Sequence, residues 1–343
     1  MTLRQAKVAD LRAMVDSKRG ERRVQSGQAQ AAPMPSTVGG AALLDLASVE
    51  VPYVCRPWIP PGVLIDAGRP KIGKTSRARQ KAVHVATGRE LWGKPCVKAD
   101  VLFLSLEEGD RLMGAKLKAA GYSATDLARV CFAFDWPRGT AGAAALDDFV
   151  DTNPATRYVV IDSLTRFREA PTREKPQFTQ DYEAISALGE VAKQRPGLAI
   201  EVIHHTTKAL NGSDPISEIS GTYGLSAAAD SFEVLRKEAT DYVVHCGGRY
   251  WDEPDDAFRM ERDGGRWKLA GVHDGVHLTP MQLEYLRRVV ELGTVSNKGL
   301  ATRLGKAEST TSEIVRELEA KGMLRRTVDG LQATESGSRR ASS

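Results

Sequence analysis

Gly68-Arg69-Pro70-Lys71-Ile72-Gly73-Lys74-Thr75 fits the spacing G-x-x-x-x-G-K-[ST] of a phosphate-binding loop. The glycines permit backbone angles and close approach that a Cβ would block. Successive N–H groups, from Gly68 through Ser76, can then surround β- and γ-phosphates at a helix N-terminus. Lys74 brings a point charge to those phosphates and Thr75 a hydroxyl to Mg2+. The chemistry implied is the binding of a nucleoside triphosphate, ATP, with Mg2+.

Three further groups stand where apolar runs end. Asp162 closes Tyr158-Val-Val-Ile161 and is followed by Ser163, the arrangement of a Walker B carboxylate that holds the metal's water shell near Thr75. Glu107 ends the run that begins at Val101, where a carboxylate can orient and deprotonate an attacking water; Glu108 beside it is the rival. His204 and His205 end the run from Ala199, where a polar side chain can contact the γ-phosphate and report its loss, and His205 is the preferred member.

Elements must hold these groups together. Val63-Leu64-Ile65 reads as a buried parallel strand and Ser76 to Thr87 as the helix after the loop. Val101 to Glu107, Val130 to Phe134, Tyr158 to Asp162 and Ala199 to His204 are short, apolar and rich in β-branched or aromatic residues. Helical patterns at Arg111 to Ala120 and Gln180 to Gln194 separate several of them. That alternation predicts an α/β fold with a mostly parallel sheet covered by helices on both faces, with ligands at the carboxyl ends of the strands.

At 343 residues and 41% hydrophobic content the chain has room for such a core plus an appendage. No apolar stretch approaches a membrane span and no signal-peptide apolar region stands at the start, so a soluble, cytoplasmic protein is expected. Cys55, Cys96, Cys131 and Cys246 are scattered, which argues against a zinc site or a disulfide framework and reads as buried thiols. The net charge of +4 is unevenly spread: residues 1–40 carry 7 Lys+Arg against 3 Asp+Glu, residues 278–343 carry 11 against 8, and the middle 30 against 33. Basic ends suit a polyanionic partner. The expected organisation is a flexible basic segment over 1–45, an ATPase domain over 46–272 and a small domain over 278–338. Within the first segment a short helix around Leu3 to Ser17 precedes a tether rich in Gln, Ala, Pro and Ser from Gln25 to Thr37.

The last sixty or so residues read as a second module. Pro280 to Leu292 is amphipathic, a short helix near Asn297 to Leu304 follows, and Ser309 to Ala320 puts Ile314, Val315 and Leu318 on one face. Gly322 to Arg326 and a Val-Asp-Gly turn to Leu331 complete three helices and a hairpin. The pattern resembles winged helix-turn-helix DNA-binding domains, which implies Ser309, Thr310, Thr311 and Arg316 facing DNA and Arg325 and Arg326 at the wing. Winged helices also dock proteins, so duplex DNA or a replication protein is the expected partner.

The phosphate loop, Glu107, Asp162-Ser163 and His204-His205-Thr-Thr-Lys208 together resemble the RecA-like P-loop ATPases, and within them the hexameric replicative helicases typified by plasmid RepA. Trp58-Ile-Pro-Pro-Gly62, Ser220-Gly221-Thr-Tyr-Gly-Leu-Ser-Ala-Ala-Ala-Asp230, Gly248-Arg249 and the hairpin Phe258 to Leu269 add to the likeness, which covers roughly residues 55–272. The resemblance implies a homo-hexameric ring, with ATP at subunit boundaries and an arginine finger from the neighbour; near the family's position this chain has Ala229-Asp230, so the finger is either missing or supplied by Arg249, ranked first, Arg236 or Lys237. It places DNA-facing loops at Arg166 to Pro176 and Thr206 to Ser220, where Arg166, Arg168, Arg173, Lys175 and Lys208 grip single-stranded DNA. The activity expected is an ATP-driven DNA helicase or translocase of a phage, plasmid or other mobile element. The alternatives are an ATP-switched DNA-binding regulator or helicase loader, and a RecA-type strand-exchange ATPase.

Overall fold

Val63 to Ala67 are buried on both faces, as a strand in the middle of a parallel sheet must be. The computed structural model describes residues 37–170, 176–206, 219, 225, 228–238, 241–253, 256–273 and 278–342. In chain order its elements are α1 (Gly40–Ala47), β1 (Gly62–Gly68), α2 (Lys74–Thr87), β2 (Asp100–Ser105), α3 (Asp110–Ala119), β3 (Val130–Ala133), α4 (Gly139–Thr152), β4 (Thr156–Asp162), α5 (Leu164–Phe167), α6 (Gln177–Lys193), β5 (Ala199–His205), β6 (Ser231–Glu238), β7 (Asp241–Gly248), β8 (Ala257–Asp263), β9 (Arg266–Val272), α7 (Pro280–Leu292), α8 (Asn297–Leu304), α9 (Glu308–Ala320), β10 (Leu324–Thr327), β11 (Gly330–Ala333) and α10 (Glu335–Ser342). The chain divides into two compact units, Met1–Glu50, which contains α1, and Val51–Ser343.

Among the described residues the second unit is built on a nine-stranded sheet of order β3-β2-β4-β5-β1-β6-β7-β8-β9. From β3 to β6 every pairing is parallel, and from β6 to β9 every pairing is antiparallel. The register brings the chemistry-bearing ends level: Gly68 lies opposite His205, Asp162 opposite Ile203, and Ser105 opposite Asp162. Because β2 stops at Ser105, Glu107 sits in the turn after the strand, two places further on than a strand-end residue.

One apolar core lies where α2 covers the sheet, with Trp58, Ala78, Val85, Phe103, Tyr158 and Trp267; a second gathers Ile65, Leu104, Leu146, Ile161, Ile185 and Leu188 from the strands, α4 and α6. The C-terminal module has a third core of its own, from Tyr285, Leu286, Val289, Val315, Leu318 and Leu331. Its first helix is fixed by Thr279, whose hydroxyl accepts from Gln282 N while the Gln282 side chain accepts from Thr279 N, with Pro280 opening the helix. Three helices and the hairpin β10–β11 make the winged helix, and α10 packs after it. No helix among the described residues is long and apolar enough to cross a membrane. The expected helix at Leu3 to Ser17 and all of the tether before Thr37 lie outside the described residues.

Candidate nucleotide site

Between β1 and α2 the chain turns through Lys71 at φ 63° and Gly73 at φ 117°. Only glycine fits at position 73, since a Cβ there would stand 2.5 Å from the Trp267 ring; at Gly68 it would meet the Leu235 carbonyl at 2.7 Å. Arg69, Pro70 and Lys71 are exposed, while Ile72 leans on the α2-side core. The Lys74 ammonium donates to Gly68 O (2.6 Å) and Arg69 O (3.0 Å) and lies 3.4 Å from His205 Nδ1, and burial lowers its pKa. Ser76 Oγ donates to Gly73 O (2.7 Å) and accepts from Trp267 Nε1 (2.9 Å), so β9 props the loop from behind.

Thr75 Oγ1 donates to Asp162 Oδ2 at 2.8 Å, joining the loop to the end of β4. Burial pushes the Asp162 carboxyl up to about 6. The following Ser163 hydroxyl donates to Glu107 Oε1, and His205 Nε2 stands 3.9 Å from the same oxygen. His205 above all, with Ser163 and Lys74, holds the Glu107 carboxyl at about 2. Glu108 lines the same cleft but is engaged by an ion pair with Lys116 and by Arg79 at 3.7 Å. His204 is buried, and the alternation of side chains along β5 leaves His205 as the histidine that reaches the cleft.

The cleft has a volume of about 540 Å³, and its lining adds groups that the sequence reading missed: Arg79, Lys116, Arg262 and the Gly264–Gly265 turn. Arg79 stands one helical turn after Thr75, a signal the motif itself offered. Arg262 gave no local signal. Arg266 brings it there, donating to Ala120 O (2.9 Å) and Gly121 O (3.2 Å), which fastens the β8–β9 turn to the end of α3.

These residues fit ATP with Mg2+. Thr75 and Asp162 present hard oxygen donors side by side for the cation, and the glycine loop with Lys74 forms a cationic cradle that a Cβ would fill.

The other expected positions divide. Arg166 is exposed beyond β4. Arg168 is not a surface group: it is 6% exposed and its Nε pairs with Asp181 at 2.9 Å, so it fastens α6 instead of gripping DNA. Arg173, Lys175, Lys208 and most of Ser220 to Asp230 lie outside the described residues. Arg249 pairs with Asp230 at 3.1 Å, and Asp230 in turn accepts from Val63 N, which places Arg249 at the end of β1 away from the chain's own phosphate loop. In the winged helix Ser309, Thr310, Arg316, Arg325 and Arg326 are exposed, with Arg326 paired to Glu319 at 3.2 Å. Thr311 is fully buried, donating to Ala307 O (3.0 Å) 3.4 Å from the Tyr285 hydroxyl, so it is a core residue of the module and cannot face DNA. Among the cysteines only Cys55 and Cys246 are buried; Cys131 is exposed and Cys96 half-buried.

Residues 41–211 match the family model described as an AAA domain, and residues 278–329 match the MarR family. No curated protein matches the chain. Solved structures similar to it include a KaiC-like protein of the archaeon Pyrococcus horikoshii OT3, 14% identical over 64% of this chain and 97% of that one at a TM-score of 0.45. The RadB recombinase is 16% identical over 61% of this chain and 91% of that one, at 0.44. The chain thus carries a mostly parallel α/β core, within a region that matches an AAA domain, followed by a winged-helix region that matches the MarR family.

Proposed function

We propose that this chain is an ATP-dependent, ring-forming DNA helicase or translocase serving replication of a phage, plasmid or other mobile element. The observation that carries the reading is the convergence of Lys74, Thr75, Glu107, Asp162 and His205 on one cleft, in a chain that continues into a winged helix. Lys74 and the loop amides hold the phosphates of ATP. Thr75 and Asp162 would hold Mg2+, which would supply positive charge against the phosphates. Glu107 is ionised and accepts the hydrogen bond of the attacking water. With its carboxyl at about 2 it is a weak base, so its share of the work is orientation, with proton uptake late in the transfer. His205 stands between Glu107 and Lys74 at the very end of β5, where loss of the γ-phosphate passes to the chain beyond. Exposed Arg166, with Lys208, meets single-stranded DNA in the ring's channel. A neighbouring subunit completes the site, and Arg249, with its side chain 66% exposed, can serve there by leaving Asp230.

The test is ATP hydrolysis by the purified protein with and without single-stranded DNA, beside Lys74→Ala and a forked-duplex unwinding assay. DNA-stimulated hydrolysis with strand separation, both lost in Lys74→Ala, supports the motor. Slow, unstimulated hydrolysis with duplex binding but no displacement replaces it with the regulator or loader. Homologous pairing on open filaments replaces it with a strand-exchange ATPase.

A further inference from the structure

Cys55 and Cys96 are far apart in sequence and side by side in the fold. Val97 N donates to Val54 O at 2.8 Å and Cys55 Sγ reaches Lys94 O at 3.8 Å, so Cys55 lies against the loop before β2 that carries Cys96. The two thiols are near enough to perturb one another's titration. A disulfide between them asks for Cβ atoms about 3.5–4.5 Å apart, a spacing open to side chains on two touching segments.

We propose that Cys55 and Cys96 are a reversible redox pair, oxidised to an intramolecular disulfide by low-molecular-weight disulfides such as oxidised glutathione. The two thiols are unequal in the way such a pair requires. Cys96 is half-buried beside the exposed turn Gly93 to Pro95, open to a small molecule, whereas Cys55 is 1% exposed. The neighbouring Cys55 thiol lowers the Cys96 pKa, whereas Cys96 beside it, with burial, raises the pKa of Cys55. Cys96 is therefore the attacking thiolate and Cys55 the resolving thiol. The Cys96 thiolate attacks one sulfur of glutathione disulfide and expels a glutathione thiolate. Cys55 then loses its proton to solvent, attacks Cys96 Sγ and expels the second. Two protein thiols are oxidised and one glutathione disulfide is reduced to two thiols.

The bridge would enclose β1, the phosphate loop and α2 in one covalent ring. The loop that carries Cys96 is already tied to the phosphate loop: Trp92 Nε1 donates to Trp267 O (3.0 Å) and Trp267 Nε1 to Ser76 Oγ (2.9 Å).

The experiment equilibrates the full chain across glutathione redox buffers, quenches with acid, alkylates and maps the thiols by mass spectrometry. Exposed Cys131 is the internal reference for oxidant access. The expected result is joint loss of Cys55 and Cys96 at one midpoint, recovered as a single cross-linked peptide and reversed by reduced glutathione. Cys96→Ser should leave Cys55 alkylatable throughout, and Cys55→Ser should stop Cys96 at the glutathione adduct. The proposal is overturned if, in the unsubstituted chain, Cys96 carries glutathione without a link to Cys55. It is equally overturned if both stay alkylatable while Cys131 is glutathionylated, or if either links to another cysteine.

Discussion

At the scale of the residue, two carboxyls in one cleft are pushed in opposite directions, and the pH profile should separate them. Asp162 is lifted by burial to about 6, so Mg2+-dependent binding of a fluorescent ATP analogue should weaken by up to tenfold per unit as pH falls below 6, with a slope of one proton. Its effect on folding has the reverse sign. The folded pKa exceeds the ordinary 3.8, so this group favours the native state fully below 3.8, and the contribution is lost as pH rises through about 6. Glu107, at about 2, stays ionised over the same range. Glu107→Gln should reduce single-turnover hydrolysis by roughly 10²-fold or more while leaving nucleotide affinity within a few-fold. Glu108→Gln, already engaged with Lys116 and Arg79, should change hydrolysis far less; equal losses in both variants would remove Glu107 from its place. These carboxyls were legible because the site's grammar is local: glycine, lysine and hydroxyl within one loop, carboxylates just past apolar runs. Arg262 and Lys116 were not, because a hairpin and a helix from distant parts of the chain deliver them.

At the scale of the element, the phosphate loop is held from beneath by side chains that sequence polarity would send to solvent. On α2 the cations Arg77 and Lys81 are fully buried, Arg77 against Asp66 (2.6 Å) and Glu233 (2.9 Å), Lys81 against Glu201 (2.8 Å) and Glu233 (2.7 Å). Tyr158 OH also donates to Glu201, at 2.7 Å. The helix was legible in outline but its inward face was not, because the partners come from β1, β5 and β6, and a single Glu in an apolar run gives no sign of its counter-ion. Replacing one member leaves uncompensated buried charge. Lys81→Met should therefore cost about 3–5 kcal/mol in urea unfolding. Trp267 serves the same helix from β9, with its backbone N and O clamped by Gln80 and its ring filling the space over Gly73. Trp267→Ala should cost about 3–5 kcal/mol by the same measurement. Gly73→Ala should abolish nucleotide binding with a smaller loss of stability, since its Cβ strikes the ring and its φ is left-handed. The reverse ranking would mean that the indole is only core filling.

At the scale of the whole molecule, the winged helix has a core separate from those of the nine-stranded sheet, which explains why its outline was readable from its own hydrophobic period. What the period could not supply was the charge of the finished surface. Arg316 and Arg325 are exposed, Arg326 is taken up by Glu319, and Glu308 and Glu313 stand exposed on α9 itself. The helix α9 and the hairpin offer two to three available cations beside exposed Lys298, Arg303 and Lys306, and each cation that neutralises a phosphate contributes about −0.9 to the slope of log affinity against log salt. Duplex binding through this module should therefore have a slope no steeper than about −5. Arg325→Ala should lower the slope by about one unit equally on unrelated sequences, as a backbone contact does. Ending the chain at His273 should remove that component while leaving ATP hydrolysis in place. A slope that Arg325→Ala and the truncation both leave unchanged would move duplex contact to the ATPase unit, and the winged helix would then be a surface for a protein partner.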